Sequence, residues 1–221
     1  MKLHPRSLDA RNHVGQPRRH ARRWTPPPHD PLAGTTDQNP PGMSLFELWA
    51  EDLRTHDGSL LEPGFWAVAV HRFGNWRMGV RPRPLRAPLS VAYGAAHRLV
   101  SWVWGIDLVY TVKLGRRVRL WHHGGMIFSA RAIGDDVHLR HNTTLGVARR
   151  SEPWNKPVIG ARVDVGVGAC ILGDVRIGDD ARIGANAVVL ESCPPGSVVV
   201  GVPARAIRSE RARSEQSKRA R

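Results

Sequence analysis

Six aliphatic residues stand six apart in the C-terminal half of the chain: Ile159, Val165, Ile171, Ile177, Ile183 and Val189. Glycine follows four of them, at Gly160, Gly166, Gly178 and Gly184. Four residues beyond an aliphatic comes something small or β-branched, at Val163, Ala169, Val175, Ala181 and Ala187. This six-residue period predicts a parallel β-helix, in which each unit is one flat face, a turn takes about eighteen residues, and stacked turns bury one continuous core. An earlier stretch carries the same beat. Leu114 and Leu120 set it, Gly124 and Gly125 add one residue, and Ile127, Ile133, Leu139 and Leu145 resume it. Between the two blocks, 147–157 (VARRSEPWNKP) has charges and prolines without the spacing. It is expected to be a loop projecting from the coil, and loops on a rigid support are where binding groups tend to sit.

Ahead of the repeat the pattern becomes helical. Ser44-Leu45-Phe46-Glu47 reads as a capping box, followed by Leu45, Leu48, Trp49 and Leu53 on one face. A second helix is expected from Gly64 to about Met78, with Trp66, Val70, Phe73 and Trp76 as its core face. A third is expected from near Pro88 through Leu99 and Trp102 to Gly105. Residues 1–42, rich in Arg, Pro and His, show no period and are expected to be disordered. The abrupt onset of pattern makes Met43 a candidate translation start. The expected organisation is a basic, Pro-rich extension (1–42), an α-helical segment (43–105), a β-helix domain (106–205) and a basic tail (206–221). The fold class is mainly β.

Length and charge narrow the partners. With 221 residues, 41% of them hydrophobic, the chain can bury one sizeable core. The net charge of +14 is concentrated at the ends: residues 1–42 hold seven Lys/Arg against three Asp, and 205–221 hold seven against two Glu. No interleaved aromatics or binding motif accompany these tails, so nucleic acid is not an expected partner. Cys170 and Cys193 form no CxxC pair, which points to neither zinc nor a disulfide framework and suits a reducing cytoplasm. The first residues lack an apolar export signal. The most apolar window, 88–110, is interrupted by His97, Arg98 and Asp107, which argues against a membrane span. Trp102 and Trp104 are expected to pack between helices rather than meet a membrane surface.

The candidate chemistry lies in histidines. His122 and His123 fall at a turn before Gly124-Gly125, and His138 and His141 come about one turn of the coil later. Taken singly each is an ordinary exposed imidazole, and the period gives architecture without function. The stretch 105–205 nevertheless resembles the serine O-acetyltransferase branch of the left-handed β-helix (hexapeptide-repeat) acyltransferases, close to the exopolysaccharide-cluster type. The resemblance rests on Gly105-Ile106-Asp107 leading into Lys113-Leu114-Gly115, on the His122 turn, and on Asn142-Thr143-Thr144-Leu145-Gly146. Beyond the loop it rests on the runs 166–173 and 183–189, on Pro194-Pro195-Gly196 and on Gly201-Val202-Pro203-Ala204-Arg205.

The resemblance implies a left-handed coil, a cytoplasmic homotrimer whose trimers can pair through the N-terminal helices, and acetyl transfer from acetyl-CoA to a hydroxyl without a metal. His122 falls at the family's catalytic histidine and Asp107 at the carboxylate that pairs with it. CoA would lie in a groove between coils of two subunits, near Gly146, Gly166, Gly168, Ala169, Ala187 and Arg205. The chain departs from the serine-specific pattern at two places. Trp121 replaces the acid that precedes the histidine, and Asn155-Lys156 replace the loop's Arg-His pair. With His123 these residues would line the acceptor pocket. L-serine is the nominal acceptor, giving O-acetylserine for cysteine synthesis, and a sugar hydroxyl in exopolysaccharide assembly is the alternative. Two remoter readings are a zinc enzyme of the carbonic-anhydrase type using His122, His138 and His141 from adjacent subunits, and a non-catalytic trimeric scaffold.

Overall fold

The computed structural model describes residues 34–207. The sequence-based expectations for 1–33 and 208–221 lie outside this range. From Ile106 onward the chain winds as a parallel β-solenoid of about five turns with three flat faces. On the first face Leu108, Phe128, Leu145, Ile171 and Val189 stand in register. On the second stand Leu114, Ile133, Ile159, Ile177 and Cys193. On the third stand Leu120, Leu139, Val165, Ile183 and Val199. All of these side chains are buried, each contributing about 1.5–3 kcal/mol by leaving water. The small residues between them, Val163, Ala169, Ala181 and Ala187, are fully buried at the corners. Arg205–Ile207 turns back antiparallel to Val198–Val200 and closes the far end.

One part of the repeat differs from its sequence reading. Ile127 is not an inward residue: it is 48% exposed, while Phe128 is 1% exposed and takes the column beside Leu145. The coil therefore gains two residues at the corner between Leu120 and Phe128 and loses one between Phe128 and Ile133. A glycine pair suggested one insertion. The structure instead has a wide corner followed by a tight one, because the large Phe128 and Met126 fill the core better than Ile127 would.

Three helices close the near end: α1 (Leu45–Thr55), α2 (Pro63–Trp76), which runs into a 3₁₀ turn at Arg77–Gly79, and α3 (Arg83–Trp104). The capping box forms, with Ser44 Oγ accepting from Glu47 N–H and the Glu47 carboxylate accepting from Ser44 N–H. The core face of α2 is not the aromatic one. Phe65, Val68, His71, Arg72 and Asn75 are buried, whereas Trp66 and Trp76 are exposed, since the polar members of the buried stripe anchor the helix to the coil. α3 begins five residues before the expected Pro88, with Pro84 in its first turn, and ends at Gly105 in the left-handed conformation (φ +65°). Residues 34–42 belong to the ordered structure. Gln38 N–H donates to Asn75 Oδ1 and Asn39 Nδ2 donates to Arg72 O, which straps them to α2.

The helix-to-coil junction is polar and buried. Arg72 donates to Asp52 (3.0 Å), to Leu114 O (2.9 Å) and to Gly115 O (2.6 Å), joining α1, α2 and the second face. Burial pushes the Asp52 carboxyl upward against the pull of Arg72. His71 Nε2 meets Val112 O at 2.9 Å, and full burial lowers this imidazole to about 3. His56 Nδ1 donates to Asp52 O (2.7 Å), leaving Nε2 to accept from Leu120 N–H (3.3 Å). Burial likewise holds His56 below its ordinary range. A Cβ on Gly64 would stand 2.7 Å from Leu120 O, so α2 approaches that strand as closely as glycine permits.

Candidate active site

The strand Arg119–Trp121 is thus held by α1 and α2 immediately before the wide corner. At the ordinary corners the left-handed residue comes three positions after the inward aliphatic: Arg117, Asp136, Asn142, Arg162, Asp180 and Asn186. Here it comes two positions after Leu120, at His122 (φ +64°), and Gly124 and Gly125 are left-handed as well. The backbone is tied to its neighbours nonetheless. Met126 N–H donates to Gly105 O (2.9 Å), and Gly124 O accepts from Asn142 N–H (3.0 Å). A Cβ on Gly105 would stand 3.1 Å from Gly124 Cα. The result is an exposed imidazole on a fixed support.

His122 meets His141 edge to face, with ring centroids 5.5 Å apart and an interplanar angle of 75°. Asp107 is engaged elsewhere: its Oδ1 lies 3.1 Å from Nε2 of His97 on α3. Neither atom has a well-aligned hydrogen bond, yet the neighbouring His97 holds the Asp107 carboxyl below its usual range. Among the described residues no hydrogen bond or ion pair joins Asp107 to His122, the expected pair. His123 is exposed beside His122.

Trp121 has a built surrounding. Its Nε1–H donates to His138 Nδ1 at 2.9 Å, and because an indole can only donate, that nitrogen carries no proton. The Arg119 guanidinium lies 3.7 Å from the Trp121 ring centroid and also pairs with Asp57. Arg140 pairs with Asp164 on the same face. Sequence reasoning did not assign Arg119, His138 and His141 these partners. The signal was the local stacking step: Arg119 stands opposite His138, nineteen residues on, and the same step carries His122 to His141.

The remaining candidates fall into two groups. In the loop, Asn155 Nδ2 donates to Glu152 (2.8 Å), Lys156 N–H donates to Trp154 O, and Arg131 donates to Trp154 O (3.0 Å). Along the coil, Ala169 and Ala187 point into the core, so only their backbone can reach a ligand. Gly166 and Gly168 are required by packing, since a Cβ would stand 2.5 Å from Ala185 N and 2.1 Å from Asn186 Oδ1. Gly146 differs. The nearest atom to a Cβ there is a Leu172 methyl at 3.9 Å, an ordinary contact, so packing does not demand glycine at this buried position where the loop departs. Arg205 is exposed on the closing strand. The buried Cys193 thiol is pushed up to about 11, which suits a packing role. Among the described residues no three His, Cys, Asp or Glu side chains of one chain converge on a metal position.

Comparison with known proteins supplies what one chain's geometry does not. The family described as bacterial transferase hexapeptide (six repeats) matches residues 156–191. The serine acetyltransferase of Helicobacter pylori strain J99 is 41% identical over 153 residues, 69% of this chain and 85% of that protein. This chain belongs to the serine acetyltransferase family. The Mycobacterium tuberculosis serine acetyltransferase is 38% identical over 146 residues, and there the match spans 66% of this chain but only 61% of the relative. Among solved structures, the soybean serine acetyltransferase apoenzyme superposes with a TM-score of 0.63 at 31% identity, covering 74% of this chain and 69% of that one. The Brucella abortus serine acetyltransferase in complex with coenzyme A gives 0.61 at 27% identity, covering 72% and 66%. The family is one of acyltransferases, so the exposed imidazole of His122 stands within an acyl-transfer scaffold.

Proposed function

We propose that this chain transfers the acetyl group of acetyl-CoA to a hydroxyl, nominally that of L-serine to give O-acetylserine, with His122 as general base. The observation that carries the proposal is the exposed imidazole at the widened corner of a serine acetyltransferase-family coil. A hydroxyl is a weak nucleophile at neutral pH. His122 takes its proton as the oxygen attacks the thioester carbonyl, and backbone N–H groups stabilise the tetrahedral oxyanion. The C–S bond then breaks, and the imidazolium returns the proton to the leaving thiolate, releasing CoA. Asp107, whose Oδ1 lies beside His97 in this chain, is the proposed carboxylate partner of His122, and His141 packs edge to face against the ring.

In this proposal acetyl-CoA is a co-substrate, bound between coils of two subunits of a cytoplasmic homotrimer. Gly146, where packing does not require glycine, is a candidate for that groove, and Gly166, Gly168, Ala169 and Ala187 offer backbone along the same coils. Arg205 offers a charge for a phosphate. Trp121, His123, Asn155 and Lys156 face the acceptor.

One observation favours the second reading, a sugar hydroxyl as acceptor. Trp121 takes the position of an acid, and the carboxylates of that face, Asp57 and Asp164, are already held by Arg119 and Arg140. An amino acid's ammonium finds no free carboxylate there, whereas a sugar ring stacks on an aromatic platform. Thiol release from acetyl-CoA, followed with L-serine and separately with nucleotide sugars, tests both. Acceleration by serine supports the nominal acceptor, and acceleration only by the sugars moves the assignment to the alternative. Release that accelerates with neither contradicts the acetyl-transfer proposal.

A further inference from the structure

The tryptophans are held to different degrees. Trp102 on α3 is 82% exposed, contrary to the expectation that it packs between helices, while Trp104 packs against the core. Trp121 is half-buried and fixed from two sides. The Arg119 guanidinium, itself held by Asp57, lies over the ring, and the indole N–H donates to His138 Nδ1 on the next turn of the coil. Strand pairing supplies both partners: Arg119 is on the strand of Trp121, and His138 stands opposite Arg119. The side chain that precedes His122 is thereby set at one angle.

The bond to His138 carries a condition. An indole nitrogen can only donate, so Nδ1 must keep its lone pair and the imidazole must be neutral, with its proton on Nε2. A second proton would turn Nδ1 into a donor facing a donor, and the bond would be lost. Trp121 is the only hydrogen-bond partner of this ring among the described residues. The charged groups facing it are Arg119 on one flanking strand, Asp164 on the other, and Arg140 and Asp136 on its own stretch of chain. Arg140 pairs with Asp164, Arg119 with Asp57 and Asp136 with Arg117. All four are matched by a carboxylate or a guanidinium, and none of them bonds to the imidazole.

We infer that His138 is a positioning residue for the acceptor: when neutral it fixes Trp121 as one wall of the acceptor pocket beside His122, and on gaining a proton it releases that wall. The inference rests on the acetyl-transfer proposal, in which Trp121 faces the acceptor. It adds a residue that touches no reacting atom, and a dependence on pH that is carried by acceptor binding rather than by proton transfer at His122.

The indole N–H resonance of Trp121 in the full chain, assigned by its loss in Trp121→Phe, tests the contact without an acceptor. It is expected to move upfield as pH is lowered from about 8 to about 5, the range in which histidines gain their proton. His138→Leu should place it upfield at every pH, and His138→Asn, whose Oδ1 accepts where Nδ1 does, should keep it downfield throughout. Kinetics with acetyl-CoA, and with whichever of L-serine and the nucleotide sugars accelerates thiol release, then read the function. His138→Leu should raise the acceptor KM about three- to tenfold, the worth of one hydrogen bond, with kcat and the acetyl-CoA KM little changed, and His138→Asn should restore it. As pH falls the native acceptor KM should rise while that of His138→Asn stays flat, whereas kcat, which carries the protonation of the general base, falls alike in both. A resonance that ignores His138→Leu, or an acceptor KM that this substitution leaves at the native value, overturns the inference. A KM raised equally by His138→Leu and His138→Asn does so too, since the loss then belongs to the packing of the ring. A native chain that releases CoA faster with no acceptor contradicts the acetyl-transfer proposal itself, and the inference falls with it whatever the resonance does.

Discussion

The turns from Ile159 to Val199 and the first turns from Ile106 to Leu145 share one backbone plan, yet they are stabilised differently. In the later turns the described interior is apolar, and the inward aliphatics recur at six residues from Ile159 to Val189 before a four-residue step brings Cys193 into the second column. In the first turns the count breaks at His122, and the buried polar residues Asp52, His56, His71, Arg72 and Asn75 of the helices brace the strands around the break. A regular solenoid needs no outside support. A corner widened to project an imidazole gives up ladder regularity, and the helices replace what is lost.

If that contrast is right, acid should undo the braced region while the apolar turns resist. His71 and His56 are neutral in the fold and titrate near 6.5 when unfolded, so the unfolded chain binds more protons below that pH. Stability is complete above about 6.5 and falls as pH drops toward about 3, the value to which burial lowers His71. At about 1.4 kcal/mol per unit of difference this is the largest expected effect. Urea unfolding across this range should show the loss, and His71→Gln should flatten it. Next in size, Arg72→Met leaves Asp52 buried without its partner and should cost about 3–5 kcal/mol in the same measurement.

Substitutions within the coil sharpen the comparison. Ile171→Ala should cost about 2–5 kcal/mol by opening a cavity, whereas Ile127→Ala, exposed at the break, should stay within about 0.5 kcal/mol. A register that kept Ile127 inside would make the two equal. The smallest expected difference is between glycines. Gly168→Ala meets the Asn186 side chain in a left-handed corner and should cost about 1–3 kcal/mol. Gly124→Ala, with nothing within 4 Å, bears only its backbone strain and should cost about 1 kcal/mol in thermal unfolding.

Legibility in the sequence follows the same divide. The turns from Ile159 to Val189 could be read residue by residue because period, inward aliphatic and small corner residue agree at every step, whereas the four-residue step to the inward Cys193 breaks the period. The helices were visible from the Ser44 capping box and the αL stop at Gly105. Their packing faces were not, because α2 anchors through His71, Arg72 and Asn75, polar residues whose partners lie some forty positions on. In the site, the His122 corner was legible from its glycines. The contacts of Trp121 with His138, and of Asp107 with His97, depend on three-dimensional register and on the pose of α3, which no local pattern encodes. Ile127 was misassigned because an insertion and a deletion one strand apart leave the sum looking like a single added residue.

The central claim is that position 122 serves chemistry and not the coil, and His122→Ala tests it when acetyl-transfer rate and thermal midpoint are measured on the same preparation. The predicted result is a rate lower by about 10²- to 10⁴-fold with an unchanged midpoint, since the ring is exposed and its removal relieves no packing. Retention of the native rate, or a fall in the midpoint that accounts for the lost activity, would contradict it.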